Sequence, residues 1–288
     1  MGIRFSKVVT ATAQPIGAGC TIAQFRHDAF GGAAMSPFVM VDHFHMWQPT
    51  FDVHPHAGMS AVTLVFEDTK GSMVSRDSIG NNATFGAGDL HWTLAGRGML
   101  HTQLPVESAH IHALQIFVNL PASLKQLPPD SFHIARDRMP IIETEEGTRV
   151  RVVAGDFQDR SSPTRAPCPI LMLDVQLEKP GASIEVPLPR EWNAWVHVVQ
   201  GSVVVDDGTE LRTDQAICAS ADGIGGIVGL RTGEGAHCVV LAAERINEPV
   251  ISHGPFVFES EASLHAAERD FRAGKFGSVA SPSALKHA

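Results

Sequence analysis

The sequence predicts an all-β chain of two similar antiparallel barrels in tandem, ending in a short C-terminal helix. Three observations support this. Apolar runs are short and rich in β-branched residues, as in Val62-Thr63-Leu64-Val65-Phe66, Ile116-Phe117-Val118 and Val196-His197-Val198-Val199, with Gly, Pro, Asn or Asp between them. A weak repeat links the halves, because Gly71-Ser72-Met73-Val74 returns 130 residues later, from 71 to 201, as Gly201-Ser202-Val203-Val204. Only one stretch has clear helical periodicity: Leu264, Ala267 and Phe271 share a face, Glu268 and Arg269 point elsewhere, and Gly274 stops the run.

The elements follow in order. Each copy of the repeat follows a β-rich run and leads into a polar turn, Ile79-Gly80-Asn81-Asn82 in the first and Asp206-Asp207-Gly208 in the second, so each reads as a hairpin. The two glycine-rich stretches Gly86-Ala87-Gly88 and Ala95-Gly96-Arg97-Gly98 read as tight turns bracketing a strand that carries His91. A one-turn helix is expected near 122–126. Paired prolines, Pro128-Pro129, cannot donate to a sheet ladder, so the segment from Pro121 to Asp130 is the expected boundary between domains 1–130 and 131–288.

Composition narrows the function. With 288 residues, 44% hydrophobic and 18% charged, the chain has ample material for packed cores. A net charge of −9 leaves no basic footprint for phosphates, so direct nucleic-acid binding is not expected. Cys20, Cys168, Cys218 and Cys238 form no CxxC pair and read as reduced thiols. The first residues show no secretory pattern and no apolar run is long enough to span a bilayer, so a soluble, cytoplasmic protein without membrane contact is expected. Serine-hydrolase elbows and phosphate-binding loops are absent from the sequence, and Gly223-Ile224-Gly225-Gly226 reads as a turn. With no tyrosine, polar chemistry must use other groups.

Histidine is the abundant alternative, at 15 residues. His54-Pro55-His56 and His101-Thr102-Gln103 are each i, i+2 pairs, and strand alternation sends both members of a pair to one face. If the two strands are neighbours, four side chains converge inside a barrel. Three imidazoles and one oxygen donor suit Fe, Ni, Cu or Zn and leave coordination positions open. His43-Phe44-His45 and His110-Ile111-His112 are rival pairs, while His197, His237 and His253 read as core or turn residues.

These residues lie in motifs that resemble the pirin family of the cupin superfamily. The likeness runs through Ser36-Pro37-Phe38, His54-Pro55-His56-Ala57-Gly58, Gly88-Asp89-Leu90-His91-Trp92, Ala95-Gly96-Arg97-Gly98-Met99-Leu100-His101 and Leu114 to Leu120. It continues through Glu248-Pro249-Val250, His253-Gly254-Pro255-Phe256-Val257 and Asp270-Phe271-Arg272. The resemblance implies two cupin barrels, with one divalent ion, usually Fe(II), in the N-terminal barrel alone; Zn, Ni, Mn and Cu are alternatives. It implies a monomer that either cleaves flavonols such as quercetin, acting on a small phenolic substrate, or regulates a protein partner. The family's metal histidines fall on His54, His56 and His101, and its glutamate ligand falls on Gln103. An amide brings no charge and cannot accept a proton, so ion affinity, the ferric state and any base step should all be weakened. His91 stands where other cupins carry a ligand and is the competing fourth position. Shifted by the repeat, His54 and His56 land on Ile184 and Val186, so the second barrel is expected to be structural.

Overall fold

A computed structural model describes residues 2–279. The chain forms two compact units that interleave along the sequence. The first is built on 41–136 with 13–22 and the chain from Asn247 onward; the second is built on 137–246 with the chain up to Thr12 and 23–40.

In the first unit a seven-stranded sheet runs in the order Asp130–Ile134, Leu90–Leu94, Met59–Val65, Ile111–Asn119, Phe38–Met46, Cys20–Arg26, Gln14–Ile16. A four-stranded sheet runs His54–His56, Met99–Pro105, Ser72–Asp77, Asn82–Gly86, with antiparallel pairing throughout. Alternation sorts the side chains. Phe44, Met46, Gln115 and Phe117 of the larger sheet and His54, His56, Met73, His101 and Gln103 of the smaller line one shared cavity.

In the second unit the 14-residue strand Trp192–Val205 serves two layers. Its first part pairs with Gln215–Ala221 and Ala236–Glu244, its end with Glu210–Arg212 and Gly226–Arg231. The ladder shifts between Val198 and Gln200, and Gly201 has φ 84°, so a bulge and a left-handed glycine turn the corner. A Cβ at Gly201 would stand 2.3 Å from the Gly235 carbonyl oxygen. Gly71, its repeat partner, has φ 80° and would meet the Ala109 methyl at 2.8 Å. The repeated glycine therefore marks the same backbone requirement twice.

The all-β fold, the two tandem-like β units and the C-terminal helix match expectation, but the expected closed barrels do not. Among the described residues no sheet closes on itself. The first unit divides into separate ladders, and the main path of the second ends at Ile3–Phe5 and Ile141–Glu143. Bending one strand through a bulge joins two layers at a corner, which removes the need for the uniform tilt that closes a barrel. Both predicted hairpin turns are present, after Ser72–Asp77 and after Val205.

The helix Glu261–Arg272 is capped by the Ser260 hydroxyl, which accepts from the Ser263 amide at 3.2 Å, and Gly274 follows its last turn at φ 73°. Leu264 and Ala267 pack with Ala57, Phe256, Phe258 and Phe276. Glu268 turns to this side rather than away, held by His253 Nδ1 at 2.6 Å, while Phe271 is 38% exposed. The His253 hydrogen bond thus brings Glu268 onto the packed side, while Phe271 stays at its edge with ring centroids 6.0 Å from Phe256 and 5.7 Å from Phe276. Among the described residues no helix is long and apolar enough to cross a membrane. All four cysteines are unpaired, and burial pushes the Cys238 thiol up to about 12.

Candidate metal centre

Antiparallel register assembles the site. His54–His56 pairs with Met99–Pro105 so that His101 lies opposite His54 and Met99 opposite His56. Cross-strand partners share a face, so the three imidazoles meet although His101 lies 45 positions beyond His56 in the chain. Their ring centroids are 4.6, 4.9 and 5.0 Å apart, and His54 Nε2 approaches His101 Nε2 to 3.1 Å. The Asp52 carbonyl, 2.8 Å from His54 Nδ1, can only accept, so the proton sits on Nδ1 and Nε2 keeps its lone pair toward the cluster.

Burial keeps the cluster neutral. His101, 3% exposed, is held well below the usual imidazole range by desolvation and then by His56, His54 and His91. Desolvation and the neighbouring His54 lower His56 to about 3, against a smaller opposing effect of the Pro255 carbonyl. His54 is lowered by the same desolvation, opposed by the Asp52 carbonyl. At neutral pH the imidazoles therefore need lose no proton to bind a cation. Their ligating atoms all lie within 4.8 Å of one another. A shared ion about 2.0–2.1 Å from each nitrogen would hold them roughly 3 Å apart, close to the His54–His101 separation, so the donor set fits a borderline divalent metal.

The sequence pattern of the Pirin family matches residues 22–118, and that of the Pirin C-terminal cupin domain matches 172–277. Human pirin is 32% identical over 246 residues, covering 84% of this chain and 83% of its own. The chain belongs to the pirin family. Its fold superposes on a quercetin 2,3-dioxygenase from Acinetobacter baumannii with a TM-score of 0.85 at 29% identity, covering 96% of this chain and 99% of that one. The bacterial pirin YhhW of Escherichia coli, solved in complex with nickel(II), shares the fold at a TM-score of 0.65 and 19% identity, covering 85% and 100%.

Gln103 lines the same cavity as the histidines of this pirin, and its Oε1 accepts from Thr63 Oγ1 at 2.9 Å. The same hydroxyl lies 2.8 Å from Gln115 Oε1. One hydroxyl has one proton, so only one of these amides can present oxygen to it; the other must present its NH2 group. Both glutamine Nε2 atoms are buried without a hydrogen-bond partner among the described residues. If Gln103 is the amide that turns, Nε2 donates to Thr63 and its carbonyl oxygen points into the cavity. Sequence reasoning passed over Thr63 and Gln115, whose only signal is an inward position beside Gln103.

His91 is neither a surface residue nor part of the cluster. It is 1% exposed, stacks on Phe85 at 4.8 Å and, among the described residues, has no hydrogen-bond partner for either ring nitrogen. Burial and His133 lower it to about 4, with Asp77 opposing. The cavity itself holds about 110 Å³, walled by Phe44, Met46, Phe51 and Phe117. In the second unit Ile184 and Val186 are buried in an aliphatic core.

Proposed function

We propose that this pirin holds one divalent ion on His54, His56 and His101, with the Gln103 carbonyl oxygen as a neutral fourth ligand, and oxidises a small phenol beside it. The observation that carries this reading is the 3.1 Å approach of two Nε2 atoms on the wall of an apolar cavity. Fe(II) is the ion this reading favours, and Zn, Ni, Mn and Cu suit the same donors. When bound, the ion supplies Lewis acidity and an open coordination position for substrate or oxygen. Phe44, Phe51 and Phe117 take the flat faces of the ring. A cavity of about 110 Å³ accommodates one aromatic ring, so the remaining rings of a flavonol would lie in the mouth. Because Gln103 cannot accept the phenolic proton, phenols already ionised near neutral pH should be the better substrates. Unpaired thiols fit a reducing compartment, and the reading places the protein in the cytoplasm as a monomer.

Aerobic incubation of Fe(II)-loaded protein with quercetin and with acidic single-ring phenols tests this reading. Substrate loss above that of the metal-free protein, abolished by His101→Ala, supports it. A second reading, a non-catalytic metalloprotein that binds a protein partner, is favoured by the uncharged Gln103. Full metal loading with no turnover on any of these substrates would select it.

A further inference from the structure

We infer that the first unit carries a second divalent-metal site, formed by His43, His45 and His112 on the opposite face of the seven-stranded sheet. Phe44 and Met46 line the interior cavity, so strand alternation sends His43 and His45 the other way. Ile111 and Ala113 pack in the interior cluster, which sends His112 outward as well. The strands Phe38–Met46 and Ile111–Asn119 are neighbours in the sheet, so the three imidazoles meet.

Their ligating atoms lie within 4.8 Å of one another, and His43 Nε2 is 2.7 Å from His112 Nε2. Both Asp68 carboxylate oxygens reach His112 Nδ1, at 2.8 and 2.9 Å. The carboxylate holds the Nδ1 proton and leaves the Nε2 lone pair aimed at His43, as a carboxylate does behind a metal-binding histidine. Two nitrogens this close must share either a proton or an ion. His45 favours the ion, since its half-buried ring stacks on His112 at 4.2 Å and brings a third donor to the pair.

The surrounding backbone fixes the arrangement. The Phe66 amide and the Thr69 hydroxyl both donate to the His112 carbonyl, and the His112 amide donates back to Thr69 Oγ1, each at 2.9 Å. Lys70 and His110 exchange backbone bonds of 3.0 and 2.8 Å. The loop carrying Asp68 is thereby stitched to the strand carrying His112. An ion about 2.0–2.1 Å from each nitrogen parts the facing pair to roughly 3 Å and draws the His45 ring off its stack. An all-imidazole set selects zinc, nickel or copper over magnesium or calcium.

Zinc titration of untagged protein against a chromophoric chelator tests the site independently of the first. The His56→Ala/His101→Ala protein should still take up one equivalent, and His43→Gln/His112→Gln in that background should take up none. Asp68→Asn, which changes an exposed side chain, should weaken that equivalent by roughly 10–100-fold with the fold intact by circular dichroism. Absence of any chelator-resistant zinc in the first double variant overturns the inference. So does an affinity that neither His112 nor Asp68 substitution alters, which would leave a proton as the shared group.

Discussion

The two units set the same pair of strands to different use. In the first, His56 lies opposite Met99 and His54 opposite His101; in the second, Val186 lies opposite Val228 and Ile184 opposite Leu230. Register makes Leu230 the counterpart of His101. One ladder packs into an apolar core that draws on residues from Val150 to Ala242, while the other keeps imidazoles around a cavity. Apolar filling stabilises its unit directly, through roughly 25 cal/mol for each Å² of apolar surface removed from water. The histidine-lined interior forgoes that gain at three positions, and the proposed ion site is the reading that accounts for the loss.

The second unit's polar investment lies on its other face, where Asp174 is buried between Arg151 and His237. Asp174→Ala should have the largest effect, about 3–5 kcal/mol in urea unfolding, because it leaves a buried guanidinium without its carboxylate. Burial by itself would raise the Asp174 carboxyl, but the charges of Arg151 and His237 and their hydrogen bonds outweigh it and hold the group well below the usual carboxylate range. The folded pKa is depressed, so this contribution is present above an unfolded value of about 4 and is lost as pH falls below it. The unfolding midpoint of the wild type should therefore fall more steeply with acid than that of Asp174→Ala.

Val186→His, which copies His56 into the apolar ladder, should cost about 2–4 kcal/mol by the same measurement, since the imidazole arrives without a partner. A neutral result would mean that the second interior tolerates ligands as readily as the first. Gln103→Glu should tighten divalent-ion binding about tenfold or more, ~1.4 kcal/mol, when measured by chelator competition. Thr63→Val should have the smallest effect, about 1 kcal/mol of stability with a few-fold loss of ion affinity, as the shared hydroxyl disappears from between two amides.

Much of this was legible in the sequence. Alternation and the glycine repeat gave the strands, since Gly71 and Gly201 answer one backbone need. The i, i+2 spacing put His54 with His56 and His101 with Gln103, and the family resemblance joined the two pairs. The open sheets were not legible, because a bulge at Val198 and Gln200 leaves no mark on apolar alternation. Nor could spacing show that the terminal helix packs with Ala57 and Phe258. The pairs His43-His45 and His110-His112 looked like rivals for one ion, and only the adjacency of their strands, with Asp68 supplied by a loop, makes His43, His45 and His112 a cluster of their own.

The central claim is that His54, His56 and His101 share one ion. Diffraction from crystals loaded anaerobically with Fe(II), recorded at the iron edge, tests it most directly. The account predicts an anomalous peak about 2.0–2.2 Å from one nitrogen of each ring, with the Gln103 oxygen turned toward it. A stoichiometrically loaded crystal whose iron lies away from His101, or with Gln103 still turned to Thr63 through oxygen, would contradict the claim for that residue.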